Sequence, residues 1–252
     1  MSLVLPTFSG FVQPASGGGG AFANTLSGSF DGSDDYLNIG AVSSLSSATE
    51  ASISWWGKKT GNNMQVGSAD ATHKGFWVNW HSDNNLYFQA QDGNYSYAYA
   101  SFTNDNAWHH FVVTYDGGAN VQKIYVDGTD LNASMGAGTV PNALDSSTGS
   151  NFQIGTPFTH WYTEGFMDEV ALFDSALSAS DVTAIYNSGV PADLSSLSPV
   201  GWWRMGDGTG DTDLGGGTPA SGDTIGTVVD QGSGGNNGTN PNGALYSSTV
   251  PS

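Results

Sequence analysis

From Ser27 to Phe173 the chain repeats one pattern: a short run in which apolar and polar side chains alternate, closed by a turn dipeptide. The runs are Ser29 to Ile39, Ala51 to Lys58, Gly75 to Trp80, Leu86 to Ala90, Tyr95 to Ala100, Trp108 to Tyr115, Gln122 to Val126, Phe152 to Ile154 and Phe166 to Phe173. Asp92-Gly93, Asp116-Gly117 and Asp127-Gly128 lie between them, and such pairs favour tight hairpin turns. A period of two sends successive side chains to opposite faces of a strand, so each run buries one face and shows the other. No helical pattern alternates with these runs, which excludes a parallel βαβ sheet and predicts an antiparallel sandwich or barrel. Ile53, Trp55, Phe111, Val113 and Tyr115 are expected in its core.

Leu177 to Gly189 reads as the one helix. Ser178 is placed to cap it, Asp181 sits three residues on as in a capping box, Val182, Ile185 and Tyr186 share a face, and Gly189 stops it. Residues 1–26, with the Gly17 to Gly20 run, read as an irregular lead-in, residues 27–190 as the main domain, and residues 191–252 as a linker followed by weakly periodic strands.

A chain of 252 residues suits one large all-β domain, and 12% aromatic residues supply rings enough to fill the space between two sheets. Its 23 acidic against 5 basic residues give a formal charge of −18, which repels phosphate backbones and anionic lipid and so excludes nucleic-acid binding and membrane-surface binding. Cysteine is absent, so disulfides and thiolate chemistry are excluded. The N-terminal MSLVLPTFSGF lacks a basic leader and is broken by Pro6, and no later run is long enough to insert in a membrane. We therefore expect a protein made in the cytosol without a signal peptide, yet with the turn-rich, low-charge style of an outward-facing protein. A phage structural protein exposed at the virion surface reconciles the two; an extracellular protein is the alternative.

The segments SFDGSDDYLNIG (29–40), SISWWGK (52–58), WHHFVVTYDGG (108–118), KIYVDG (123–128), FQIG (152–155) and GFMDEVALFDSALSASDVTAIYNSG (165–189), in this order, resemble a laminin-G-like, concanavalin A-like lectin jelly roll. The resemblance implies an all-β, two-sheet antiparallel jelly-roll sandwich with one short helix after the last main strand. In the tail, VGWWRMGDGTGDT, VVDQGSGGNNGT and NGALYSSTVPS resemble the segment that ordinarily precedes the FDGSDDY strand in such domains. We expect the tail to complete the same sandwich in permuted order, because a lone half-repeat would expose Trp202, Trp203 and bare strand edges.

Glycosidases share this architecture and need two carboxyl groups facing one another across a cleft. The close acidic pair on a predicted strand, Asp168-Glu169, is adjacent and so expected on opposite faces, and no Glu-x-Asp-x-x-Glu pattern occurs. The chain is read as a non-enzyme. His73, His81, His109, His110 and His160 have no chelating spacing and are expected to be packed or exposed singly.

The resemblance also implies a structural calcium held by Asp168, Asp31 and the carbonyl of Gly32, with Asp34 and Asp35 as further candidates; ordinary turn and cap roles are the other reading. Asp207, Asp211 and Asp213 lack a calcium-loop order and are read as structural. For sugar binding, the candidates are Tyr95, Tyr97 and Tyr99 on one strand face, Trp80-His81 with Asp83 and Asn84, and His160, Trp161 and Tyr162 before the last strand. Core filling is the competing reading of these rings. We therefore expect a non-catalytic binding and display module that contacts glycans or neighbouring virion subunits as decoration, fibre or tail-associated protein, with homo-oligomerisation open to it. The alternatives are a purely structural virion protein without a ligand, and a secreted glycan-active enzyme or its carbohydrate-binding accessory module.

Overall fold

A computed structural model describes residues 22–70, 75–94, 96–149, 151–157 and 161–252. Two antiparallel sheets face each other across one large core. The eight-stranded sheet runs Thr129–Asp130, Val121–Val126, His109–Asp116, Glu50–Lys59, Glu164–Phe173, Ser27–Asp31 and Leu245–Ser247, with Gly201–Trp203 also pairing with Glu164–Phe173. The ten-stranded sheet runs Ser134–Ala137, Tyr97–Ser101, Asn85–Ala90, Gly75–Trp80, Met64–Ala69, Phe152–Ile154, Leu37–Gly40, Gly238–Thr239, Ile225–Val228 and Thr212–Asp213. This is the antiparallel sandwich expected from the strand pattern, with the two-sheet jelly-roll layout that the resemblance implied.

The alternation in the sequence sets the core directly. Ile53, Trp55, Phe111, Val113 and Tyr115 from one sheet meet Met64, Val66, Phe76, Val78, Trp80 and Phe88 from the other, all at most 1% exposed. The Trp55 and Phe111 rings stack at 5.0 Å, and Trp80 lies 5.2 Å from Phe111. Such aromatic contacts add to the area each ring removes from water.

The expected run Ser29 to Ile39 is two strands, Ser27–Asp31 and Leu37–Gly40, which belong to different sheets. Asp31 to Asp35 carry the chain across, with Gly32 in the left-handed region at φ 79°. Met64–Ala69 was not foreseen, since Gly67 and Ser68 interrupt its alternation. The tail contributes to both sheets. Trp202 pairs with Ala171, Tyr246 with Gly28, and Thr239 with Asn38. Trp203 enters the core, 0% exposed, stacked on Phe152 at 5.6 Å.

The helix spans Ala179–Tyr186, and its Ser178 and Asp181 form the expected capping box. It ends earlier than expected, because Asn187 already takes the left-handed conformation and closes the last turn. Val182 and Ile185 pack on the outer face of the eight-stranded sheet with Val112, Tyr125, Ala171, Phe173 and Trp202, forming a second apolar cluster. No helix among the described residues is long and apolar enough to cross a membrane.

One expectation about face is corrected here. Met167 and Val170 both point into the core, so the two residues between them, Asp168 and Glu169, lie together on the outer side. A bulge between Asp168 and Ala171 accommodates the extra residue, with Glu169 at φ 47°. Adjacent carboxylates expected on opposite faces are therefore neighbours.

Candidate functional site

The outer face of the ten-stranded sheet is built from the positions that alternate with the core. Its register aligns Gln65, Asn79, Tyr87 and Tyr99 in one cross-strand row. A second row aligns Gln153, Gly67, Trp77, Gln89 and Tyr97. The face thus has an amide-rich half and an aromatic half. The amide half is covered: Gln65, Trp77 and Asn79 are at most 3% exposed, and the Gln65 amide donates to the backbone carbonyl of Trp161.

The aromatic half is open. Tyr87 stacks on Tyr99 at 6.2 Å and meets Tyr97 at 5.7 Å, while Tyr97 and Tyr99 are 6.3 Å apart. With Met135 and Gly136 of the edge strand these rings bound a groove of about 360 Å³. Glycine at 136 leaves room for the Tyr97 ring, which a Cβ there would push aside. Tyr99 is 37% and Met135 41% exposed, a high value for side chains of this kind on a rigid sheet.

A turn over residues 81–85 fixes the rim. Asn84 takes φ 63°, which asparagine tolerates, and His81 N–H donates to the Asn85 carbonyl. Asp83 then accepts from the Tyr87 hydroxyl at 2.7 Å and from Asn85 N–H at 3.0 Å, with His81 Nδ1 3.3 Å away. The hydrogen bond to Asp83, with burial, pushes the Tyr87 phenol up to about 12. Burial acts against Asp83, yet the hydrogen bonds from Tyr87 and Asn85 outweigh it and hold its carboxyl below the usual range. From beneath, Lys59 donates to the His81 carbonyl at 2.8 Å and lies over the Trp80 ring. The His81 ring packs edge-on against Tyr87 at 6.1 Å and Trp161 at 6.2 Å.

Tyr97, Tyr99, His81 and Trp161 are thus gathered at one face. Trp80 is not among them: its alternation points inward, it is 0% exposed, and its indole N–H donates to the Phe102 carbonyl. Tyr162 is half-buried beside Trp161. Tyr95, His160 and His73 lie outside the described residues. Sequence reasoning missed Tyr87, the ring at the centre of the cluster. Its signal was present, since Tyr87 and Gln89 alternate with the core residues Leu86, Phe88 and Ala90.

The calcium candidates divide. Carboxylate oxygens of Asp31, Asp34 and Asp35 lie within 4.8 Å of one another. Asp168 is not with them: Asp31 faces Glu164 in register, and Asp168 lies four residues further along that strand, roughly 13 Å away at the rise of a β-strand. The Gly32 N–H donates to the Thr163 carbonyl. Burial, followed by the negative charge of Asp31, pushes the Asp35 carboxyl up to about 6. Three mutually repelling carboxylates suit a hard cation such as calcium, and Asp31, Asp34 and Asp35 are the residues that would hold it.

Asp168 and Glu169 belong to the opposite surface. Glu169 accepts from Trp202 Nε1 at 2.7 Å and Arg204 Nε at 3.0 Å, and burial nevertheless pushes it up to about 7. Burial and then Glu169 raise Asp168 well above the carboxylate range. Asp207, Asp211 and Asp213 are bound to backbone N–H groups, Asp211 to those of Gly206, Gly208 and Val229. His110 is 1% exposed and meets Ser54 at 2.9 Å, whereas both nitrogens of His109 engage carboxylates, Asp127 at 2.7 Å and Asp105 at 3.0 Å.

The chain matches the concanavalin A-like lectin/glucanases superfamily over residues 31–183. Among solved structures, a candidate carbohydrate binding protein from Bacteroides ovatus superposes with a TM-score of 0.64 at 17% identity, over 90% of this chain and 61% of that one. A heptameric SAP-like pentraxin from Limulus polyphemus gives a TM-score of 0.49 at 16% identity, over 65% and 82% of the two chains. Domain 4 of AbnA, a GH43 extracellular arabinanase from Geobacillus stearothermophilus, gives 0.41 at 17%, over 63% and 87%. No curated protein matches the chain in sequence.

Proposed function

Because the chain belongs to the concanavalin A-like lectin/glucanase superfamily, we propose that it is a non-catalytic glycan-binding and display module whose contact face is the groove of Tyr87, Tyr97 and Tyr99. The observation that carries this reading is a cluster of three mutually packed phenol rings on the outer face of a sheet, Tyr99 exposed and Tyr87 and Tyr97 half-buried around an open groove. Aromatic faces stack on the C–H face of a pyranose, and Asp83, Asn85 and Ser101 at the rim offer hydrogen bonds to its hydroxyls. A formal charge of −18 favours neutral over acidic glycans. Of the four described basic side chains, Arg204 and Lys123 are paired with carboxylates, Lys59 is buried and Lys58 is half-buried.

Two points support a non-catalytic role. The groove walls carry no carboxyl group among the described residues, and the rim carboxyl, Asp83, is engaged by Tyr87. Asp168 and Glu169 are buried at the other surface of the sandwich, away from the groove. Display on a phage particle is our reading of a strongly acidic, cysteine-free, turn-rich chain.

A second reading has its own support. Met135, 41% exposed, extends the apolar surface beside Tyr99, and the Ser134–Ala137 strand ends its sheet with one side unpaired, as at a subunit interface. A glycan array run beside sedimentation analysis separates the two. Binding to neutral glycans by a monomer supports the first reading; silence across bacterial and algal polysaccharides with a stable oligomer supports the second.

A further inference from the structure

His109 opens the strand His109–Asp116 with a carboxylate on each of its ring nitrogens. Nδ1 lies 2.7 Å from Asp127 and Nε2 3.0 Å from Asp105. An ionised carboxylate only accepts, so each nitrogen must donate, and a ring that donates from both is the imidazolium. Burial opposes that charge, yet the hydrogen bonds to Asp127 and Asp105 outweigh it and raise the imidazole above its ordinary 6.5. Asp105, from the crossover of residues 102–108, and Asp127, from the turn after Val121–Val126, are the charged groups that face the ring. The other elements packed on it are uncharged there: Phe102 lies edge-on at 4.8 Å and Phe111 at 6.3 Å, and Glu50–Lys59 brings Gly57 opposite in register. His110, on the other face of the strand, gives its backbone N–H to Asp127 at 2.9 Å.

The same crossover is bonded to the rim of the tyrosine groove. Phe102 N–H donates to the Asn84 carbonyl at 2.8 Å and Asn104 N–H to Asn84 Oδ1 at 3.2 Å, while the Phe102 carbonyl accepts from Trp80 Nε1 at 3.0 Å. Asn84 is the residue whose left-handed backbone turns the chain between His81 and Asn85. We propose that His109 is a proton-controlled staple: protonated, it pins the crossover against the 81–85 rim turn, and on losing its proton it releases Asp105 and slackens the rim. The proton leaves Nε2, because the shorter bond to Asp127, 32% exposed against 58% for Asp105, holds the one on Nδ1. The Nε2 lone pair then faces a carboxylate and repels it. With the imidazole raised, the staple contributes fully below about pH 6.5 and is lost as pH rises through the raised value. Its consequence for ligand rests on the glycan reading of the groove: sugar is held more tightly in mildly acidic than in alkaline solution.

Nitrogen-15 NMR of the full chain tests the staple. Wild type is expected to show both His109 ring nitrogens protonated at pH 6, a midpoint above 6.5, and loss of the Nε2 proton beyond it. Protection of the Phe102 and Asn104 amides, corrected for the intrinsic pH dependence of exchange, should fall about fivefold from pH 6 to pH 8.5. His109→Gln, which does not titrate, and Asp105→Asn, whose amide can accept from the ring or donate to it, should both remove that pH dependence. Calorimetry with cellohexaose, an uncharged glucose chain, should show Kd rising about threefold over the same range in wild type and staying flat in either variant. A neutral His109 at pH 6, or protection that does not follow its midpoint, overturns the staple. A titrating staple with a Kd that ignores pH overturns its link to ligand. No binding of cellohexaose counts against the glycan reading of the groove, while the exchange data alone decide the staple.

Discussion

Tyr87 donates its hydroxyl to Asp83 at 2.7 Å, and this one bond holds the ring against which Tyr97 and Tyr99 pack. Removing the acceptor's charge should release it. In Asp83→Asn the Tyr87 phenol is expected to fall from about 12 toward its ordinary value, because the phenolate no longer forms beside a carboxylate. NMR titration of ring-labelled tyrosine reads this shift. Loss of a net hydrogen bond of about 1 kcal/mol should lower Tm by roughly 2–4 °C, and the released ring should weaken glycan binding.

The aromatic face was partly legible. Tyr97 and Tyr99 were found because they alternate visibly with Ala98 and Ala100, whereas Tyr87 was hidden among the apolar residues Leu86 and Phe88. Trp80 was misplaced for the converse reason: it precedes the polar turn at His81, but its parity with Phe76 and Val78 sends it inward. Asp168 and Glu169 were assigned by strict alternation, which a bulge suspends, and nothing local marks a bulge at a Glu. That the tail joins the sandwich was expected from resemblance and from the cost of exposing tryptophan, whereas individual pairings such as Trp202 with Ala171 left no mark in the periodicity.

The tail is tested through Trp203, fully buried, stacked on Phe152 and donating from Nε1 to the Asn236 carbonyl at 2.8 Å. Trp203→Ala should cost about 3–5 kcal/mol, the range for truncating a large buried ring, in a single unfolding transition. Two separate transitions, or a change below about 1 kcal/mol, would place the tail outside the main core.

Buried His110 makes an acid-sensitivity prediction. Burial depresses its imidazole from 6.5 to about 3, so between those values the unfolded chain binds a proton that the folded one refuses. Its contribution to stability is therefore present above about pH 6.5 and lost as pH falls toward 3. Denaturant unfolding of wild type and His110→Gln checks this. The advantage of wild type should shrink from pH 7 to pH 4.5, and a constant difference would contradict it.

Calcium at Asp31, Asp34 and Asp35 is expected to raise Tm through mass action on the folded state, and chelator to lower it. Asp34→Asn should abolish most of the response, while Asp168→Asn should leave it in place. An unchanged midpoint with and without the cation would remove the site.

The central claim is that the tyrosine groove is where this sandwich meets glycans. The most direct measurement is a neutral-glycan array probed with wild type and with Tyr97→Ala/Tyr99→Ala, after confirming equal Tm. The account predicts binding by wild type and a loss of at least tenfold in the variant, consistent with about 1–3 kcal/mol for each buried aromatic face removed. Undiminished binding by the double variant would contradict it.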